Sequence, residues 1–131
     1  MCAPRRAAQR TVSGYRWIGV YDVDHQSKEV RNITFSGRGA PVFPVFPLDK
    51  GLTASAIATK RTVNVGDTTS DPRYLTAFAS TLSELIIPIL DNDAVIGTLD
   101  VESEKRNAFT KEEQLFLEKA TRVIRPLWTR L

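Results

Sequence analysis

The segment from Ser83 to Ser103 constrains the fold more than any other part of the chain. It reads Ser-Glu-Leu-Ile-Ile-Pro-Ile-Leu, then Asp91-Asn92-Asp93, then Ala-Val-Ile-Gly-Thr-Leu-Asp-Val-Glu-Ser. Aliphatic and β-branched residues dominate both arms, and the Asp-Asn-Asp between them is turn-forming, so the two arms make an antiparallel hairpin. Side chains alternate along a strand. Val95, Leu99 and Val101 are therefore expected on one face, and Asp100 and Glu102 on the other. Glu84, on the partner arm, reaches the same patch. Three carboxyls on one patch of sheet repel each other unless a cation, a basic ligand or solvent compensates. The trio reads either as a solvated rim salt-bridged to Arg73, Lys105 or Arg106, or as a site for a cationic group.

The remaining elements arrange themselves around that hairpin. Tyr15–Asp24 is rich in aromatic and β-branched residues and reads as a strand; Lys28–Phe35 returns beside it after an Asp-His-Gln-Ser turn. Residues 37–47 contain three prolines and two glycines and read as a long irregular loop. Its apolar residues Val42, Phe43, Val45 and Phe46 suggest that it folds back over something. Residues 50–60 are a short helix of small side chains, and 61–65 a short strand. Asp71 caps a helix that Pro72 starts and that runs to about Ser80. Thr110 and Glu113 form a capping box for the last helix, with an expected core stripe of Phe116, Ala120, Val123, Ile124 and Leu127. Five strands with little helical crossover indicate an α+β domain with an antiparallel sheet and helices on one face.

With 131 residues, the chain has the length of one domain. No apolar run is long enough for a transmembrane helix, and no secretory signal follows Arg5 and Arg6, so the cytoplasm is the expected location. The net charge of +3 raises the question of nucleic acid. Arg5, Arg6, Arg10 and Arg16 carry that excess, which leaves 14 basic against 15 acidic residues in 18–131. A short basic arm is usually solvated, so nucleic acid is disfavoured as a partner. One cysteine, Cys2, and one histidine, His25, exclude a disulfide framework and most thiol, triad and metal chemistry. No metal or other cofactor is expected.

Further candidates lie outside the hairpin. Trp17 and Tyr21 are four apart on one strand with Gly19 between them, a plausible ligand wall or an aromatic core pair. Asp71-Pro72-Arg73-Tyr74-Leu75 is a capped helix start that reads either as the cover of a pocket or as core anchors.

Taken together, the short pieces Trp17-Ile-Gly-Val-Tyr21, Gly51-Leu-Thr-Ala-Ser-Ala56, Val65-Gly-Asp67, Asp71-Pro-Arg-Tyr-Leu75, Ser83-Glu-Leu-Ile-Ile-Pro-Ile89 and Ile96-Gly-Thr-Leu-Asp-Val-Glu-Ser103 resemble the GAF domain family in order and spacing. The resemblance runs from Tyr15 to the last helix, and the branch it is most similar to is the free methionine-(R)-sulfoxide reductases. It implies a central antiparallel sheet of about five to six strands, with helices on one face and a loop-covered pocket on the other. The domain would span 15–131, behind a basic arm or short helix at 1–14. It also implies a pocket of Trp17, Tyr21, Glu84, Asp100 and Glu102, with Phe43, Thr53, Asp71, Tyr74 and Ala77 around it. The family enzymes carry cysteines at about Phe43, Thr53 and Ala77, and this chain has none there. Sulfoxide reduction needs an attacking thiolate and a resolving thiol. The expectation is therefore a sensory or regulatory domain without catalysis, binding an unknown small molecule with an amine or amino-acid character. An enzyme drawing on an external thiol is one alternative; a dimerisation module without a ligand is another. Only 14 residues precede the first strand, where the family usually has a long helix; that helix is expected to be short, replaced by a dimer contact or cut from a longer chain, and an apolar sheet face exposed without it would favour a homodimer.

Overall fold

The computed structural model describes residues 15–74 and 80–130. The arm at 1–14, with Cys2, lies outside the described residues, and so does Ala77.

Six strands form one antiparallel sheet. They are β1 (Tyr15–Asp24), β2 (Glu29–Gly37), β3 (Val45–Pro47), β4 (Val63–Val65), β5 (Ser83–Asp91) and β6 (Ala94–Ser103). Their order across the sheet is β3-β2-β1-β6-β5-β4, with the expected β5–β6 hairpin near the centre. Helix α1 spans Gly51–Thr59 and helix α2 spans Lys111–Ile124. The α+β, GAF-like architecture is as the sequence implied.

The irregular loop is shorter than expected. Val45–Pro47 leaves it to pair with Glu29–Arg31 as β3, which buries Phe46 against Val30. Arg61 and Thr62 stay outside β4. Pro72 and Arg73 form a turn rather than a helical start, and the rest of that expected helix falls mostly in 75–79, outside the described residues.

Both faces of the sheet are covered. On one, Leu85, Ile87, Leu99 and Val101 pack with Phe109 and Leu117 of the α2 region. On the other, Ile86 and Val65 pack under Leu52 and Ala56 of α1, beside a cluster of Trp17, Tyr21, Val23, Val30, Phe46 and Val95. The longer helix thus lies opposite the pocket, while α1 joins the loop on the pocket side. Among the described residues, no helix is long and apolar enough to cross a membrane.

Two corrections follow. The first concerns Val95, expected beside Leu99 and Val101. Ile89 pairs with Gly97 but Leu90 pairs with Val95, so Ile96 is an extra residue in β6. That β-bulge reverses the alternation and turns Val95 to the pocket side. The second concerns the core stripe of α2. The helix buries Leu117 and Thr121, while Phe116 is 63% exposed, Val123 78% and Leu127 56%. The two stripes are neighbours on the helix, and aromatic anchors at its ends decide between them. Phe109 packs with Leu117 just before the helix. Trp128, in the 3-10 turn Arg125–Arg130 that follows the helix, covers Gly97: a Cβ there would meet the Trp128 ring. The Trp128 indole also donates to Asp22 Oδ1 at 3.2 Å.

Candidate functional site

Register brings the three acids together. Glu84 lies directly across from Glu102, and Ile86 across from Asp100, so Glu84, Asp100 and Glu102 share one face. Trp17 pairs with Glu102, Gly19 with Asp100 and Tyr21 with Thr98, which puts the aromatic pair on that face as well. All three carboxyls are buried, at 7%, 5% and 2% exposure. They are not a solvated rim. Nor do Arg73 and Arg106 neutralise them, because Arg73 pairs with Asp71 at 2.7 Å and Arg106 with Asp67 at 3.2 Å.

Burial of like-signed carboxyls moves their protonation. Desolvation pushes the Glu84 carboxyl well above its ordinary range, and the charges of Glu102 and Asp100 push the same way. Asp100 is pushed up to about 8, first by burial and then by Glu102; the nearby Thr98 hydroxyl opposes the shift without a bond of proper geometry. Asp100 Oδ1 and Thr98 Oγ1 are buried and, among the described residues, lack a hydrogen-bond partner. The Tyr21 phenol is raised by burial and by the same acids, so it keeps its proton.

These groups surround a cavity of about 30 Å³, lined by Tyr21, Phe43, Phe46, Gly51, Leu52, Thr53, Glu84, Ile86, Asp100 and Glu102. That is room for about two water molecules. The first turn of α1 closes one side. Its N-cap, Lys50, makes no side-chain capping bond, so the positive end of the helix dipole faces the cavity without a side-chain cap.

Of the ten residues singled out in the sequence, six line the cavity: Tyr21, Phe43, Thr53, Glu84, Asp100 and Glu102. Trp17 stands behind them. It stacks on Phe35 with ring centroids 5.9 Å apart, and its indole N–H donates to Gly39 O at 3.2 Å, tying loop 38–44 to the sheet. Tyr74 reaches Glu102 Oε1 with its hydroxyl at 3.2 Å. Asp71 is not brought to the cavity: its carboxylate holds the Arg73 backbone and guanidinium, and Arg73 in turn donates to Ser55 of α1 at 2.9 Å. Sequence reasoning missed Thr81, whose hydroxyl lies 2.6 Å from Glu102 Oε1. A lone threonine between helix and strand gives no signal. It also missed Ile86, Gly51 and Leu52 as lining; Ile86 was legible from its spacing two residues after Glu84.

Residues 6–125 match the GAF domain family. The chain belongs to that family. Several relatives of this GAF domain are enzymes. It is 29% identical over 109 residues, 82% of its length, to the free methionine-R-sulfoxide reductase of Saccharomyces cerevisiae, and spans 60% of that protein. It is 24% identical over 101 residues, 77% of its length, to protein YtsP of Bacillus subtilis and spans 61% of it. The chain thus covers about three fifths of these two curated relatives. Among solved structures, it matches the type II free methionine-R-sulfoxide reductase from Thermoplasma acidophilum with a TM-score of 0.85 and 30% identity, over 95% of this chain and 86% of that one. The free methionine-R-sulfoxide reductase from Neisseria meningitidis, solved in complex with its substrate, matches at 0.81 and 28%, over 95% and 73%. These relatives overturn the expectation that the domain is not an enzyme. That expectation rested on missing thiols alone, and thiols need not come from the chain that holds the substrate.

Proposed function

We propose that the cavity binds a free amino acid carrying a sulfoxide and reduces it to the sulfide with electrons from an external dithiol. The observation that carries this reading is the buried acidic face with its unpartnered Asp100 Oδ1, opposite the uncapped start of α1. An amino acid has an ammonium group for the first and a carboxylate for the second. A sulfoxide oxygen accepts hydrogen bonds; Asp100, pushed up to about 8 by burial, is an O–H donor at neutral pH beside the cavity, and burial pushes the Glu84 carboxyl in the same direction. The names of the yeast, Thermoplasma and Neisseria relatives supply the substrate class.

The balance of the reaction is simple. One thiolate attacks the sulfoxide sulfur and the S–O bond breaks. The oxygen leaves as water after taking two protons, and the dithiol closes to a disulfide while the sulfoxide becomes a sulfide. The chain supplies protons and orientation, and the dithiol supplies both electrons. Phe43 and Thr53 occupy lining positions where the resemblance places thiols. The cavity is too small for an amino acid as it stands, so substrate entry moves loop 38–44, with Phe43 at the mouth.

The test is to incubate the protein with methionine-(R)-sulfoxide and dithiothreitol and to quantify methionine and oxidised dithiothreitol. Equal amounts of the two, abolished by Asp100→Asn, are expected. Methionine at the protein-free background rate would overturn the proposal.

A further inference from the structure

We propose that Thr81, helped by Tyr74, is a positioning residue that holds Glu102 as the ionised carboxylate of the site. Only its catalytic consequence rests on the reductase reading; the hydroxyl–carboxylate geometry stands without it.

Two hydroxyls converge on one oxygen. Thr81 Oγ1 lies 2.6 Å from Glu102 Oε1, and Tyr74 OH lies 3.2 Å from the same atom. A separation of 2.6 Å is typical of an O–H group donating to an ionised carboxylate. The Tyr74 phenol is raised by burial, so it keeps its proton and donates. Donors converging on a carboxylate oxygen favour the charged form.

The Thr81 hydroxyl is aimed by its backbone. Thr68, itself buried, donates its hydroxyl to Thr81 O at 2.9 Å and its N–H to Leu82 O at 2.9 Å. Leu82 N–H donates to Ser103 O at 2.8 Å, at the end of β6. A β-branched side chain on a backbone locked from both sides has few rotamers to choose from. Thr81 is 3% exposed, so no bulk water competes for Glu102 from that direction.

Among the described residues, the titratable groups facing Glu102 are Glu84 from β5, Asp100 from β6, Tyr21 from β1 and Tyr74 from the segment before β5. The first two are carboxyls that cannot all ionise together in a dry site. Fixing the charge on Glu102 leaves the protons on Glu84 and Asp100, beside the cavity. The division of labour among three similar acids then comes from a threonine outside the sheet. Glu102 supplies the negative charge that an ammonium group needs, and its neighbours supply O–H donors.

The experiment is a carbon NMR titration of the full chain labelled at the glutamate carboxyl carbons, with Glu84→Gln and Glu102→Gln assigning the signals. In the wild-type protein, Glu102 should titrate below Glu84. Thr81→Val removes the hydroxyl at constant shape and should raise the Glu102 midpoint by about one to two pH units, and Thr81→Ser should restore it. Should Thr81→Val not fold, Thr81→Ala carries the same expectation. A Glu102 midpoint above that of Glu84 in the wild type overturns the proposal without any variant. An unmoved midpoint in a folded Thr81 variant overturns it too. In parallel, the acidic limb of the methionine-sulfoxide pH profile should shift upward with the Glu102 midpoint in Thr81→Val. A wild-type protein with the expected carboxyl order but no turnover would refute the reductase reading and leave the role of Thr81 intact.

Discussion

Replacing Asp100 by asparagine tests the electrostatics of the site through stability alone. In the folded chain the Asp100 carboxyl is pushed up to about 8 from an ordinary 3.8. In the unfolded chain it titrates at the ordinary value. Between about pH 4 and about pH 8 the folded protein therefore holds a proton that the unfolded protein has released. Because the unfolded state binds fewer protons in that window, stability falls as pH rises, by about 1.4 kcal/mol per pH unit for one such group. Glu84 is shifted in the same direction and adds to the slope, and the two acids titrate as a unit. Asp24, Asp67 and Asp71 are lowered by their hydrogen bonds, so their stabilisation is already complete above the ordinary carboxylate range. They do not contribute above about pH 5. Asparagine keeps the shape of the side chain and cannot titrate; it also removes one of the charges that raise Glu84. Urea unfolding followed by tryptophan fluorescence at about pH 5, 6, 7 and 8 is the assay. The wild type should lose stability steadily, and Asp100→Asn should lose less, by up to about 1.4 kcal/mol per pH unit below about pH 7 and by less toward about pH 8. Parallel pH profiles for the two proteins would mean that Asp100 titrates as an exposed aspartate does, and the dry-site argument would fail with it.

Three other outcomes follow from the packing. Leu117→Ala should cost about 2–5 kcal/mol and Phe116→Ala less than about 1, because only Leu117 lies against the sheet; thermal unfolding of both variants checks it. Gly19→Ala should destabilise the chain by about 1–3 kcal/mol or more and perturb Trp17 fluorescence, since the new Cβ would lie 2.0 Å from Trp17 Cη2. Methionine-(R)-sulfoxide at about 100 times its Kd should stabilise the wild type by about 2.7 kcal/mol in a thermal-shift assay, and the Asp100→Asn, Glu102→Gln double variant should show no shift.

The strands, the hairpin and the acidic trio were legible because strand alternation is a local rule that burial on both faces does not disturb. Glu84 and Glu102 were placed on one face by spacing alone, and the register puts them directly opposite each other. What spacing left open was whether that face was wet. The sequence offered Arg73 and Arg106 as partners for the acids. It contained no sign that Asp71 and Asp67, each close to its arginine in the folded chain, would take them first. The α2 stripe failed for a related reason. Two neighbouring stripes compete, and the more apolar one lost because Phe109 and Trp128, both outside the helix, set its rotation.

The bulge at Ile96 shows how a single residue outside any periodic pattern shapes the site. Without it, strict alternation would send Val95 to the α2 side with Leu99 and Val101. With it, Val95 joins Trp17, Tyr21 and Phe46 on the pocket side, while Gly97 presents its bare backbone to Trp128. The strand thus anchors the helical layer through Gly97 and walls the aromatic cluster through Val95. Farther along it turns Asp100 and Glu102 into the cavity from the same face as Val95. Deleting Ile96 would remove the bulge and return β6 to plain alternation. Val95 would then stand four residues before Asp100 instead of five, so plain alternation would keep it on the pocket side beside Tyr21 and leave Ala94 on the other. The bulge thus absorbs the extra residue without moving Val95 off the wall of the site, and carboxyl titration of the Ile96 deletion should show Asp100 and Glu84 still raised above their ordinary values; acids back at those values would refute the assignment of Val95 to that wall.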